Sequence, residues 1–361
     1  MKASIVCSEP AATPVRLVLL GMGGTIAGRS AQVSDNVGYR AGEVAVADLL
    51  DGLPLPADCV VEAEQVCQID SKDLGPAHWQ ALVQALQRQL ARAEVAGLVI
   101  THGTDTLEET AYLLHRVLAP TKPVVLTAAM RPATALSADG PRNLVDALLV
   151  AAEAARLGRA GVVAVLAGRV WAGAEVRKVH SHRLDAFDAG DAGPLALVEE
   201  GRMRELRAWP AGDGLGSNRL ALPAAQWPQV EIVLSHAGAN GRLVKLLMTS
   251  GVDGLVVAGT GNGTLHAELE AALIKAERAG ICVLRSTRCA AGGVIEAQAA
   301  SVSASASALA SARGEPGEAG VLAGAAPHKL RSAGPHTPLQ ARIDLLLELL
   351  ARRQPASTHL R

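Results

Sequence analysis

The sequence predicts an α/β protein of two domains, a larger N-terminal one with a mixed sheet and a smaller C-terminal one with a parallel sheet. Short β-branched runs alternate with amphipathic helical stretches along most of the chain, the pattern of sheets covered by helices. At 361 residues the chain exceeds one ordinary core. A Gly- and Pro-rich stretch at 208–228 interrupts the alternation and reads as a linker between domains at 1–207 and 229–361. Aromatics are only 2% of residues while apolar residues are 49%, so the core has to be built from Ala, Val and Leu.

Val15–Leu20 is the first expected strand, running into the glycine-rich GMGGT. Residues 77–90 set Trp79, Leu82, Val83, Leu86 and Leu90 on one helical face. Leu98–Thr101 is a buried strand ending in HGTDT, after which Thr106 and Glu109 have the spacing of a capping box. Val124–Thr127 is a strand leading to AAMRP, Pro141 suits a helical first turn, and Gly161–Leu166 is a further strand. Beyond the linker come strand Val230–Leu234, a helix near Arg242–Thr249, strand Gly254–Val257, helix His266–Ala279 and strand Cys282–Arg285. A last helix runs from about Leu339 to Leu350. Between these, 297–337 is Ser/Ala-rich and aperiodic, so a mobile insertion is expected.

Lys plus Arg total 34 against 35 Asp plus Glu, giving a net charge of -1. Nucleic-acid binding draws most of its affinity from basic contacts to phosphate, and no such face is advertised here. Small molecules and further copies of the chain are the expected partners. The cysteines, Cys7, Cys59, Cys67, Cys282 and Cys289, are five in number with no C-x-x-C pair, so reduced thiols are expected rather than a disulfide framework. With no apolar run long enough to span a bilayer and an N-terminus unlike a signal peptide, the expected location is cytoplasmic, without membrane attachment.

Two loops at strand ends carry the candidate chemistry. Gly21-Met22-Gly23-Gly24-Thr25-Ile26-Ala27-Gly28 fails as a dinucleotide fingerprint, because position 26 should be glycine. Its plainer reading is a turn whose threonine caps a helix. Thr101-His102-Gly103-Thr104-Asp105-Thr106 is the second, and by itself it too reads as a capped helix start. Paired at the carboxyl ends of parallel strands, such loops sit where open α/β sheets bind ligands. His180 and His182 with Asp185, Asp188 and Asp191 match neither an EF-hand nor an H-E-x-x-H pattern, so neither metal nor cofactor is expected.

Taken together, GGTIAG (23–28), Tyr39 within YRAGEVAV, IDSKDL (69–74), ITHGTDTLEETA (100–111), AAMRP (128–132), SADGPRNL (137–144) and AGTGNGTL (258–265) resemble the bacterial-type L-asparaginase family, which includes the glutaminase-asparaginases. The match is collinear from about residue 15 to residue 288. The resemblance implies an amidohydrolase that turns L-asparagine into L-aspartate and ammonia through a threonine acyl-enzyme, with glutamine as a secondary substrate. It implies Thr25 as nucleophile, Tyr39 on a lid-like loop as its base, and Thr104, Asp105 and Lys178 as a second proton-relaying cluster. It also implies substrate binding by Gly24, Ser71, Gly103, Thr104, Asp105 and Ala129, with backbone N–H groups near Thr104 and Ala129 as oxyanion donors. Without it, Lys178 reads as a solvated loop charge, Tyr39 as an aromatic on the sheet rim and Ser71 as a helix N-cap.

The family's assembly implies a site completed by a neighbouring subunit, hence a dimer at least and a dimer of dimers as the expected form. Two positions depart from the pattern. An active-site asparagine falls on Gly238, with Asn240 two residues on, and a partner-supplied glutamate has only Glu296 as its counterpart, in poor register. The rival expectation is a catalytically impaired homologue that binds amino acids. An amide-transfer subunit acting on charged tRNA would need an RNA-binding domain and a basic face, and the sequence has neither.

Overall fold

A computed structural model of the chain describes residues 14–32, 34, 38–56, 58–296 and 329–354. It divides into two compact units, which meet in sequence between Trp227 and Pro228.

The first unit is built on an eight-stranded sheet. Its strands are β1 (Val15–Gly23), β2 (Cys59–Ile69), β3 (Val95–Thr101), β4 (Pro123–Thr127), β5 (Gly161–Leu166), β6 (Arg169–Ala172), β9 (Ala196–Glu199) and β10 (Arg202–Glu205), in the order β10-β9-β6-β5-β4-β3-β1-β2. A hairpin of β7 (Arg177–Lys178) and β8 (Phe187–Asp188) forms a separate two-stranded sheet. From β2 to β5 the neighbours are parallel, and β6, β9 and β10 are added antiparallel. The mixed character was therefore correctly expected. The three antiparallel strands are short, and β10 alternates intermediate and exposed residues, as an edge strand does.

Both faces of the parallel part are buried. Leu17, Leu19, Val99, Val125, Val163 and Val165 share one cluster with Leu144, Leu148 and Ala151 of α3 (Gly140–Arg156). The alternate residues Val18, Leu20, Leu98 and Ile100 are 0–1% exposed on the other side. There α1 (Pro76–Leu90) packs on β1, β2 and β3, and α2 (Leu107–Val117) packs on β5. Near-continuous Val/Leu/Ile runs form these strands because doubly covered parallel strands have no wet face.

The parallel strands stand in the order 2-1-3-4-5. The chain reverses its direction of travel across the sheet at β1, with β2 on one side and β3 on the other. Such a switch point leaves a crevice at the carboxyl ends of the two diverging strands. GGT ends β1 and HGT ends β3, so the topology alone places both loops there.

The second unit has a four-stranded parallel sheet, β11 (Val230–Leu234), β12 (Gly254–Gly259), β13 (Cys282–Thr287) and β14 (Arg331–Ser332), in sequence order. One face is covered by α4 (Arg242–Ser250) and α5 (Ala267–Arg278) through Val244, Leu269 and Leu273. Helix α6 (Pro338–Arg353) lies on the other, with Leu345 directly over Gly254. The expected insertion at 297–337 is described only in part. Residues 329–337 are described and supply β14, while 297–328 lie outside the described residues. Among the described residues no helix is long and apolar enough to cross a membrane.

Candidate active site

Three loops interlock at the switch point. Gly24 sits at φ 80°, a left-handed backbone open to glycine, and a Cβ added there would lie 2.5 Å from both the Cα and N of Gly103. Gly103 in turn lies so close to Ser71 that an added Cβ would strike its Oγ and Cβ. Glycine is required at 24 because the backbone of the turn after β1 touches that of the turn after β3, and at 103 because the Ser71 side chain fills the space of a Cβ.

The loops are also joined by hydrogen bonds. Gly24 N–H donates to Ile69 O at 2.8 Å, at the end of β2. Thr106 Oγ1 donates to Ser71 O at 2.9 Å. The second bond corrects the expected capping box, for the Thr106 side chain makes no cap to α2 and ties the HGTDT turn to the IDS turn instead. Ser71 is likewise no N-cap. The side chain of Asp70 caps the short turn Ser71–Asp73, and Ser71 is 3% exposed beneath Gly103.

Thr25 follows Gly24 into a single 3-10 turn and is 6% exposed. Its hydroxyl lies 2.6 Å from the hydroxyl of Tyr39. Arg29 and Arg40 exchange backbone bonds at 2.9 Å each, which fixes the chain next to Tyr39. Burial raises the pKa of Tyr39 above its usual 10, outweighing the hydrogen bond from Thr25 that lowers it.

Thr104 is 5% exposed, and Lys178 Nζ donates to its Oγ1 at 2.9 Å and to Asp105 Oδ1 at 2.6 Å. Lys178 comes from β7, far along the chain, and its side chain is only 18% exposed. The solvated-charge reading of this lysine is thus excluded. The carboxylate holds the ammonium, which leaves it free to present a proton to the hydroxyl beside it.

Under the turn runs a buried polar chain that sequence reasoning passed over. Trp79 Nε1 donates to Thr110 Oγ1 at 3.0 Å, Thr110 Oγ1 lies 3.0 Å from His102 Nε2, and His102 Nδ1 lies 2.8 Å from Gly103 O. A carbonyl only accepts, so Nδ1 carries hydrogen. Burial pushes His102 down to about 4, so the ring is neutral at pH 7. Glu108 was also missed, and its carboxylate accepts the backbone N–H of Lys178 at 2.5 Å.

Ala129 is fully buried past the end of β4, next to Ile26 and Gly140. Its neighbours Met130 and Arg131 donate their backbone N–H groups to Asp139 at 2.9 Å each. The first unit therefore brings together Gly24 with Gly103 and Ser71, Thr25 with Tyr39, and Thr104 with Asp105 and Lys178. In the second unit Gly238 has φ 75° and no side chain to offer, while Asn240 Oδ1 accepts from Arg242 N at 3.0 Å at the start of α4. Glu296 is held by Arg285 at 3.0 Å and by Lys329. His180, of the discounted metal cluster, accepts backbone N–H groups of His182 and Arg183, and Arg183 pairs with Asp185.

Comparison with known proteins matches two family profiles. Residues 16–210 match "Asparaginase, N-terminal" and residues 229–358 match "Glutaminase/Asparaginase C-terminal domain". L-asparaginase 2 of Escherichia coli (strain K12) is 36% identical over 282 residues, covering 78% of this chain and 80% of the relative. The glutaminase-asparaginase of Pseudomonas fluorescens biotype A is 34% identical over 280 residues, 77% of each chain. The crystal structure of a probable cytoplasmic L-asparaginase from Campylobacter jejuni superposes with a TM-score of 0.78 at 31% identity, covering 93% of this chain and 95% of that one. With both profiles matched in order along the chain, this protein belongs to the bacterial-type asparaginase and glutaminase-asparaginase family.

Proposed function

We propose that the chain is an L-asparaginase, hydrolysing the side-chain amide of asparagine to aspartate and ammonia through an ester on Thr25, with glutamine as a slower substrate. One observation carries the reading. Two Gly-Thr turns are packed glycine against glycine at a switch point, one threonine hydrogen-bonded to a tyrosine and the other to a lysine.

Each half of that arrangement suits one half of an amide hydrolysis. A threonine hydroxyl is a poor nucleophile until its proton has somewhere to go, and Tyr39 oxygen is in contact to take it. Tyr39 itself is protonated at neutral pH, so it relays rather than waits as phenolate, taking the Thr25 proton as its own passes to solvent, from which Lys178 regains the proton it gives to the leaving nitrogen. The amide nitrogen must leave as ammonia and therefore needs a proton. Lys178 supplies one through Thr104, whose hydroxyl accepts from the ammonium at 2.9 Å. Water attack on the Thr25 ester then returns the hydroxyl and releases the carboxylate. Asp105 offers charge for the substrate's α-amino group, and Ser71 and the backbone at Gly24, Gly103 and Ala129 offer polar contacts for the rest.

We extend the reading to a homo-oligomer, a dimer of dimers, in the cytoplasm. Leu243 and Leu246 on α4 are 49% and 68% exposed and give apolar surface for association. The free cysteines Cys59, Cys67, Cys282 and Cys289 suit a reducing compartment. The mass in solution checks the first statement.

A coupled ammonia assay on asparagine and on glutamine tests the function, with Thr25→Ala as control. Release from asparagine that disappears in the variant is expected. Binding of asparagine by the wild type without ammonia would return the chain to an amino-acid-binding role.

A further inference from the structure

Helix α2 opens with Glu108 and Glu109 directly after the Thr104–Asp105 turn. Acidic residues in a first turn usually face water and complement the helix dipole. Glu108 is instead partly buried, and its Oε2 accepts the main-chain N–H of Lys178 at 2.5 Å.

The hairpin that carries Lys178 explains why this bond matters. β7 and β8 are two residues each and stand apart from the eight-stranded sheet. So short a ladder does not hold its own position. Across it Val179 N–H donates to Ala186 O at 2.8 Å, and the alternation of an antiparallel pair turns the Lys178 N–H the other way. That outward N–H is the one that meets Glu108. Lys178 is thus held at both ends by the first turn of α2 and the loop before it: its ammonium by Thr104 and Asp105, its main chain by Glu108.

We infer that Glu108 is the positioning residue for Lys178, a tether that fixes the lysine main chain so that its ammonium meets the Thr104 hydroxyl. The role is geometric rather than one of charge. Burial raises the Glu108 pKa, Glu109 pushes the same way, and the Lys178 N–H with the charges of Arg177 and Lys178 opposes both. Protonated or ionised, the carboxyl keeps an oxygen that accepts the bond, and so would an amide of the same length. The kinetic part of the inference rests on the amidohydrolase reading; the tether itself does not.

The experiment compares Glu108→Gln, Glu108→Ala and Glu108→Asp by hydrogen exchange at the Lys178 amide and by ammonia release from asparagine. Loss of the tether is expected to speed exchange at that amide at least about 10-fold in the Ala variant. It should also lower kcat by about 10- to 100-fold with KM within about threefold, since a small misplacement of a reacting group is costly. Glutamine should restore both readouts to within about threefold of wild type, whereas aspartate, one methylene short, should follow alanine. Should the Ala variant fail to fold, the Gln and Asp pair gives the same contrast. Unchanged exchange in the Ala and Asp variants, unchanged kcat despite faster exchange, or a Gln variant as impaired as Asp would each overturn the inference. A wild type that exchanges slowly at Lys178 yet releases no ammonia would sink the enzymatic reading and leave the tether standing.

Discussion

Thr110 donates its hydroxyl hydrogen to Nε2 of His102 across 3.0 Å. The direction follows from the neutral ring: Nδ1 gives its hydrogen to Gly103 O, which leaves Nε2 a lone pair and the Thr110 hydroxyl as donor. Trp79 Nε1 completes the chain by donating to Thr110 Oγ1. The turn that carries Thr104 is thereby braced from beneath by a chain that runs in this direction while His102 is uncharged.

A dependence of stability on pH follows. His102 is lowered from 6.5 to about 4 by burial. The unfolded chain takes up this proton as pH drops below 6.5 and the folded chain does not, so folding is favoured above 6.5 and loses ground between 6.5 and about 4. The loss attributable to this ring is about 3 kcal/mol over that window. Urea titrations of wild type and His102→Gln at pH 7 and pH 4 should differ by that much in their pH response. Parallel responses would show that the ring titrates normally.

Thr110→Val removes the middle of the same chain with little change of volume. It strands Trp79 Nε1–H and His102 Nε2 in a buried site, where each unsatisfied group costs about 1–3 kcal/mol. A fall in unfolding free energy of about 2–5 kcal/mol is expected from denaturant titration. A loss below about 0.5 kcal/mol, the level of an ordinary surface change, would mean that the chain is not formed.

Under the proposed mechanism, substitutions at Thr25, Lys178 and Tyr39 should separate the three by role. Thr25→Ala is expected to lower kcat at least about 1000-fold with an unaltered circular dichroism spectrum, as loss of a nucleophile does. Lys178→Met should cost about 100-fold or more, in the range of a lost proton relay. Tyr39→Phe keeps the ring and removes only the oxygen at 2.6 Å from Thr25, so its loss should also be about 100-fold. Because burial holds the Tyr39 phenol above 10, wild-type activity should show no decline from its ionisation between pH 8 and 10. A decline in that range that vanishes in Tyr39→Phe would contradict the burial argument.

Gly24→Ala meets two obstacles at once, a φ of 80° and the Gly103 backbone at 2.5 Å. Neither can give way without parting the two turns, so a stability loss of about 2–4 kcal/mol is expected together with loss of turnover. Thermal unfolding of the purified variant measures it, and a midpoint equal to wild type would refute the close approach.

Much of this was readable from the residues. The Val/Leu runs of β1, β3, β4 and β5 could be placed because both of their faces are buried, and the glycines at 24 and 103 marked the turns where backbones meet. The short antiparallel strands β6, β9 and β10 were not separable, since four-residue runs carry too little period to read. β14 was hidden because Arg331 and Ser332 follow a Ser/Ala-rich tract and become a strand only through their pairing with β13. The Thr106 and Glu109 spacing promised a cap, yet the Ser71 carbonyl, distant in sequence, won the hydroxyl. Glu108 and His102 escaped for the same reason. Each looks ordinary beside its chain neighbours, and what it does is set by a partner some distance along the chain: Lys178 for one, Thr110 and beyond it Trp79 for the other. Lys178 was found through family resemblance alone.

The meeting of Gly24 with Gly103 limits how such a pocket can change. The contact is between two main chains, and a contact of that kind has no side chain to trim or exchange. Under the proposed function, room for a bulkier substrate has to be made around that contact, along the segment that carries Tyr39 or the hairpin hung from α2. Selection or engineering for new substrates would leave its marks there, with the two glycines silent beneath.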